Sequence, residues 1–351
     1  MSWLEPDGDG VALRFATLED ERWSSAHTVA RGDDWFVNWA DFPSVVAIDD
    51  RLWAAHWLVR AAAGTYEYDV AVAVSIDGGD TWQAAITPHR DGSLSEHGFV
   101  SLYPAADGVG ALWLDGRQMD RGMTLRSAVI APDGSLSEEL LADDLVCDCC
   151  QTDVAIGSNG PIAVFRNRTA DEVRDIYTMR MIDGRWESGR PVADDGWQIA
   201  GCPVNGPAIA ARGDEVVVSW FTAAGGHPRV RFARSIDGAA SFGAPIDVAT
   251  DRPLGRVGLA LLGSGDAVVS WLEQVQDTQG LVMARIVRAD GEPGAAVTIV
   301  ETQSGRPSGF PQILQYGDRL LFAWTDTNSR DSSQVKSLLY DISAFPVPSA
   351  F

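Results

Sequence analysis

The sequence predicts an all-β fold, a six-bladed β-propeller of four-stranded antiparallel blades, and three observations carry that prediction. Its 351 residues exceed what one core usually accommodates, roughly 250–300 residues, unless the fold is modular. A composition of 46% hydrophobic residues with 35 glycines and 17 prolines supplies both a large core and frequent turns, and excludes disordered, collagenous and coiled-coil chains. Most directly, one pattern recurs six times along the chain.

The pattern is an apolar run ending in an aromatic: Leu52 to Trp57, Ala111 to Trp113, Ile162 to Phe165, Val216 to Trp220, Ala267 to Trp271 and Leu320 to Trp324. The terminal aromatics lie 51 to 56 residues apart. A turn signal such as Asp107-Gly108, Asn159-Gly160 or Gly265-Asp266 precedes each run, as short hairpins require. A strand-like run stands before each turn (Ser44 to Ile48 is the first), and a third follows each aromatic (Val70 to Ser75, Leu125 to Ile130, Ile176 to Ile182). A weaker fourth completes the unit. The expected blades span about 39–94, 95–145, 146–200, 201–253, 254–303 and 304–351, within one domain. Residues 1–38 then supply closing strands (Val11 to Leu18, Arg22 to Ala30), pairing the N-terminal with the C-terminal strands.

Twenty-seven basic against 49 acidic residues give a net charge of −22, and Lys336 is the sole lysine. Nucleic-acid binding needs a basic surface that displaces counterions, and an anionic membrane needs the same, so neither partner is expected. No apolar run approaches the roughly 18 residues that cross a bilayer, and the first residues lack a basic-then-apolar signal pattern.

Ser75-Ile76-Asp77-Gly78-Gly79-Asp80-Thr81-Trp82 fits the Asp-box pattern Ser-x-Asp-x-Gly-x-Thr-Trp, and Ser235 to Phe242 is a degraded copy. On these stretches the chain resembles the sialidase (neuraminidase) superfamily of Asp-box, or BNR-repeat, propellers. Glu96-His97-Gly98-Phe99, Cys147-Asp148-Cys149-Cys150-Gln151-Thr152 and Gly201-Cys202-Pro203-Val204-Asn205-Gly206-Pro207 look like a bacterial sialidase-like subgroup. The resemblance implies a propeller from a periplasmic or secreted setting, with box residues that hold turns rather than do chemistry. It also implies a substrate carboxylate held by three arginines, a tyrosine nucleophile activated by a glutamate, and an aspartate acid/base. The first arginine of that family sits in an Arg-Ile-Pro stretch; the corresponding Trp39-Ala40-Asp41-Phe42-Pro43 has none. No Tyr/Glu pair declares itself, and Tyr66, Tyr68, Glu96 and Glu273 are the candidates.

In a propeller, the loops leading into successive innermost strands converge on a central mouth, where ligands commonly bind. Those loops carry Asp41, Glu96, His97, Asp148, Gln151, Asn205, Arg256 and all four cysteines. A second loop set adds Arg166, Arg174, Glu273 and Arg330, of which Arg166 and Arg174 are the better carboxylate clamps. His56, inside a strand beside Trp57, reads as a core histidine.

Thiolates are soft ligands, so Cys147, Cys149, Cys150 and Cys202, with His97 nearby, form a candidate copper or zinc centre, Gln151 and Asn205 standing behind it. A disulfide or a redox dithiol are the competing uses of the same sulfurs. The leading functional expectation is therefore a soft-metal-binding propeller, with metal-dependent redox chemistry as one use of such a centre. The alternative is an exo-glycosidase or glycan-binding protein with Asp41, Glu96 and Glu273 among its reachable carboxyls. A protein-binding scaffold is a third reading, without a recognition motif to support it.

Overall fold

A computed structural model describes residues 1–329 and 332–346; Arg330 lies outside them. The architecture is an all-β propeller with antiparallel blades, and the described residues form seven blades rather than six. By internal packing, Met1–Asp148 with Asp183–Ser188 form one compact unit and Cys149–Ile182 with Gly189–Phe351 form another.

Among the described residues the first unit carries three sheets of three or four strands and a two-stranded ribbon of Leu18–Glu19 and Arg22–Trp23. Ser2–Asp7, Gly10–Phe15 and His27–Gly32 form the first; Ser44–Ala47, Trp53–Arg60 and Tyr68–Ser75 the second. His97–Ala105, Gly108–Asp115, Met123–Ile130 and Leu140–Val146 form the third. The second unit carries four, whose central strands are Gly160–Arg166, Glu215–Thr222, Ala267–Gln274 and Arg319–Ser329.

The N-terminal strands depart from the expectation. They build an independent three-stranded sheet, with Ser2 opposite Phe15 and Phe15 opposite His27, and among the described residues none of them pairs with the C-terminal strands. The expected closure between the chain ends is thus not made there. Gly10–Phe15 is in fact a seventh copy of the repeat, a run ending in an aromatic after a turn at Asp7-Gly8. It lies 42 residues before Trp57, outside the common spacing, and Arg14 interrupts its apolar run. The second deviation is in strand number, because the first, second and seventh sheets have three strands instead of four.

The repeating aromatics serve the core as their pattern requires. Trp113, Phe165, Trp220 and Trp271 are at most 2% exposed. Trp113 packs with Ala111, Val109 and Val72 in the first unit, and Trp271 with Val217, Phe232 and Val269 in the second. An indole must also place its N–H. Trp113 donates to Asp115 (2.9 Å) and Trp271 to Glu273 (3.0 Å), a carboxylate two positions on and so on the same strand face.

The two box stretches fold alike. Ser75 donates to Asp77 while its Oγ accepts from Gly79 N, and Asp77 accepts from Thr81 N (2.9 Å). Ser235, Asp237 and Ser241 repeat the arrangement. Hydroxyl and amide donors hold both Asp77 and Asp237 down at about 2, as closed turns should. Among the described residues no helix is long and apolar enough to cross a membrane.

Candidate active site

Within the first unit, three chain segments place a tyrosine between two carboxyl groups. Tyr68 opens the last strand of the second sheet, and Glu96 immediately precedes the third sheet. The two segments join through a parallel bridge between Tyr68 and Glu96, with Tyr68 N donating to Ser95 O (3.2 Å). Asp41 comes from the loop leading into the second sheet, which Asn38 braces by accepting from Ala40 N (2.9 Å). The Tyr68 hydroxyl donates to Glu96 Oε1 at 2.7 Å and faces Asp41 Oδ2 at 3.1 Å. The Phe36 ring stacks on Tyr68 at 4.1 Å. A Tyr/Glu pair therefore exists, formed by two of the sequence candidates, Tyr68 and Glu96, although their spacing does not announce the pairing.

The backbone is adapted to this arrangement. Phe99 adopts φ +52°, a left-handed conformation costing of order 1–3 kcal/mol for a bulky residue, and so turns its N–H onto Asp41 Oδ1 (2.8 Å). Gly98 is required beside it, since a Cβ there would lie 2.0 Å from Asp41 Oδ2 and 2.9 Å from the Tyr68 ring.

Electrostatics follow from burial. Asp41, 3% exposed, is pushed up to about 7 by burial and by the charge of Glu96, against the N–H of Phe99 and the Tyr68 hydroxyl. Glu96 is likewise pushed up to about 7, by burial and by Asp148, against the Tyr68 hydroxyl. Burial and the two neighbouring carboxylates push the Tyr68 phenol far above its usual range, so it stays protonated. At neutral pH the two carboxyls thus share protons around a neutral phenol. One can donate while the other accepts, which is the equipment of general acid–base chemistry.

The other residues singled out from the sequence have different surroundings. The sulfur atoms of Cys147, Cys149 and Cys150 lie within 4.8 Å of one another in a four-residue stretch, within reach of a common ion. Cys202 is exposed and stands outside that group, and His97 groups instead with Asp69, His89, Asp91 and Asp115. Arg166 directs its donors to the backbone: Nη1 to Arg174 O (2.7 Å), Nη2 to Asn205 O and Phe221 O (both 2.8 Å). Arg174 pairs with Glu172 at 2.8 Å. Asn205 accepts from Arg256 N (2.8 Å), and Gln151 accepts from Gly206 N (3.1 Å). Glu273 receives the indole of Trp271. His56 is 1% exposed, shares a hydrogen bond with Ser44 Oγ (2.9 Å) and is pulled down to about 4 by burial, as a neutral core histidine. Sequence pattern does not single out His89 and Asp91; a lone histidine and aspartate in a polar stretch carry no signal.

No family model and no curated protein matches the chain. Solved structures do. An ulvan lyase of polysaccharide lyase family PL25 superposes with a TM-score of 0.57 at 11% identity, over 96% of this chain and 91% of the other. The GH93 α-L-arabinofuranosidase of Fusarium graminearum gives 0.56 at 13% identity, over 87% and 94%. A Hadza microbial sialidase gives 0.54 at 12% identity, over 96% and 74%. The fold is that of the sialidase-like propellers. At such identities the likeness extends to architecture alone, and the chemistry rests on this chain's own residues.

Proposed function

We propose that the protein is a glycan-active propeller, a glycoside-cleaving enzyme or one derived from such, whose working groups are Tyr68, Asp41 and Glu96. One observation supports this above the others: a phenol hydrogen-bonded between two carboxyls, both with raised pKa, in a fold shared with glycan-cleaving enzymes. Glycoside cleavage needs a proton donor for the leaving oxygen and either a nucleophile or a base for water. In this reading the protonated carboxyl of the pair is the donor. The ionised one draws the proton from an attacking water, and Tyr68 stays a neutral donor that holds the two carboxyls in place. The substrate class is an exo-cleaved glycan. Screening purified protein against aryl glycosides, sialosides and uronic-acid polysaccharides tests the reading. Turnover lost in Tyr68→Phe and Glu96→Gln supports it, whereas neither turnover nor binding across the panel defeats it.

A second reading has its own observation, the mutual proximity of the sulfurs of Cys147, Cys149 and Cys150. Three thiolates in that arrangement suit a soft ion such as copper(I) or zinc. Elemental analysis after anaerobic purification tests it: near-stoichiometric metal that disappears when the three cysteines become serine is the supporting result, and metal-free protein the opposing one.

A further inference from the structure

Strand alternation sends the neighbours of Tyr68 and Glu96 the opposite way, so that Asp69 and His97 meet at 3.5 Å on the far side of the same bridge. His97 is fully buried there, and the His89 ring stacks on it face to face at 3.7 Å and 4°. Two imidazolium ions in ring contact would repel each other strongly away from water, so at most one ring of the stack is charged. The groups facing each ring decide which.

His89 is satisfied as a neutral ring. Val70 N donates to its Nε2 (3.2 Å), which therefore holds a lone pair, and its Nδ1 proton faces Asp91 Oδ1 (3.4 Å). Burial and then the charge of His97 pull His89 down to about 4, against Asp91 and Asp115. His97 instead has acceptors on both sides. Its Nδ1 faces the Tyr68 carbonyl (3.4 Å) and Asp69 Oδ1 (3.5 Å), and its Nε2 faces Asp91 Oδ1 (3.4 Å) and Asp115 Oδ2 (3.7 Å). These are ion-pair separations, and Nε2 makes no closer hydrogen bond. A neutral ring has one proton, so one nitrogen would turn its lone pair onto carboxylate oxygens in a dry site. A proton on each nitrogen removes that repulsion.

The charges packed around the ring fit an imidazolium. Four carboxylates gather here (Asp69, Asp91, Asp115 and Glu139) against two guanidiniums, Arg117 and Arg126. Arg117 spans Asp91 (3.3 Å) and Asp115 (2.7 Å), the Trp113 indole donates to Asp115 (2.9 Å), and Glu139 pairs with both arginines. Asp69 has neither arginine. Its Oδ1 lies 3.6 Å from the His89 nitrogen that holds the lone pair, so the proton it meets is the one on His97 Nδ1.

We propose that His97 stands protonated as a charged latch behind the Tyr68–Glu96 pair, a positioning residue that ties the strand carrying Tyr68, through Asp69, to the segment carrying Glu96 and to Asp91 and Asp115. The two sides of the bridge divide the work. On one, the Tyr68 hydroxyl meets Glu96 at 2.7 Å; on the other, the His97–Asp69 ion pair holds the two segments in register. Loss of the proton would set a lone pair against a carboxylate and open the latch. The latch deepens the acid–base reading by naming what holds its pair together, yet its test reads protons and amide exchange. Both latch results in a protein that turns over no glycan would defeat the glycan reading and leave the latch standing.

Imidazole ¹⁵N spectra of the full chain at about pH 7, close to the ordinary histidine value, make the first test. His97 is expected to carry protons on both nitrogens and His89 on Nδ1 alone. The second test is Asp69→Asn, which keeps the shape of a side chain that is 35% exposed and removes its charge, so a packing role alone would leave it silent. It is expected to speed amide exchange at Tyr68, whose N–H closes the bridge onto Ser95 O, on the order of 10-fold, with the circular dichroism spectrum unchanged. His97→Gln is expected to speed the same exchange at least as much. A bare nitrogen on His97 in the ¹⁵N spectra, or Tyr68 exchange indifferent to Asp69→Asn, would each overturn the assignment.

Discussion

The same backbone clamp occurs in both compact units with different chemistry. In the second unit Asn205 Oδ1 accepts from the N–H of Arg256, at φ +52°, and Gly255 is obligatory because a Cβ would fall 2.2 Å from that oxygen. In the first unit Asp41 accepts from Phe99, also at φ +52°, with Gly98 in the matching role. Asn205 completes itself as a neutral group, its amide donating to Pro203 O and Leu254 O (both 3.2 Å). Asp41 has no amide to satisfy and turns its second oxygen to the Tyr68 hydroxyl. A neutral amide therefore suffices to hold two segments together. A carboxyl buried at position 41 costs free energy that the clamp alone does not require, and the proposed acid–base role supplies the reason for bearing that cost.

Exchanging parts between the two clamps sharpens the contrast. The largest effect is expected on turnover: Glu96→Gln, Tyr68→Phe and Asp41→Asn each lower kcat by ~10²–10⁴-fold on any glycan the screen identifies, as loss of a general acid or base does. Asp41→Asn keeps the clamp, so its unfolding midpoint in urea stays near wild type. Equal activity in Asp41→Asn and wild type would reduce Asp41 to a second Asn205. The converse exchange, Asn205→Asp, sets a carboxylate against two carbonyl oxygens and is expected to cost about 3 kcal/mol in urea denaturation, with no gain of chemistry.

Next in size is a pH effect. Asp41 and Glu96 have folded-state pKa values raised above their unfolded ones, to about 7. They favour the folded state fully below about pH 4, and that contribution is lost as pH rises through about 7. Stability of the wild type should fall by several kcal/mol across that window, less so in Asp41→Asn, as read by urea denaturation at several pH values. The smallest effect belongs to the turn boxes: Asp77→Ala and Asp237→Ala each remove hydrogen bonds from an exposed turn, and each should lower the urea midpoint only slightly while leaving turnover unchanged.

Much of the architecture could be read from the chain because its signal is local. Trp113, Trp220 and Trp271 mark the ends of buried strands, and the turns before those strands are composed as hairpins require. The seventh blade escaped because Phe15 lies closer to its successor than the other aromatics do and Arg14 breaks the run. Asp41, Glu96 and His97 could be named as candidates from their places in loops. Which of them pair could not: Tyr68, rather than Tyr66, meets Glu96 through a bridge between sheets, and His97 meets Asp91 and Asp115 instead of the thiols. Such pairings depend on register and strand alternation across sheets, which local pattern does not encode.

The central claim is that Tyr68 stands between two carboxyl groups held poised near neutrality. Carboxyl ¹³C titration of the folded protein, assigned with Asp41→Asn and Glu96→Gln, tests it most directly. The pair is expected to titrate in steps at about 7, and removing either partner to lower the other's pKa or leave a single step. Two independent titrations near the ordinary carboxyl value of about 4 would contradict it.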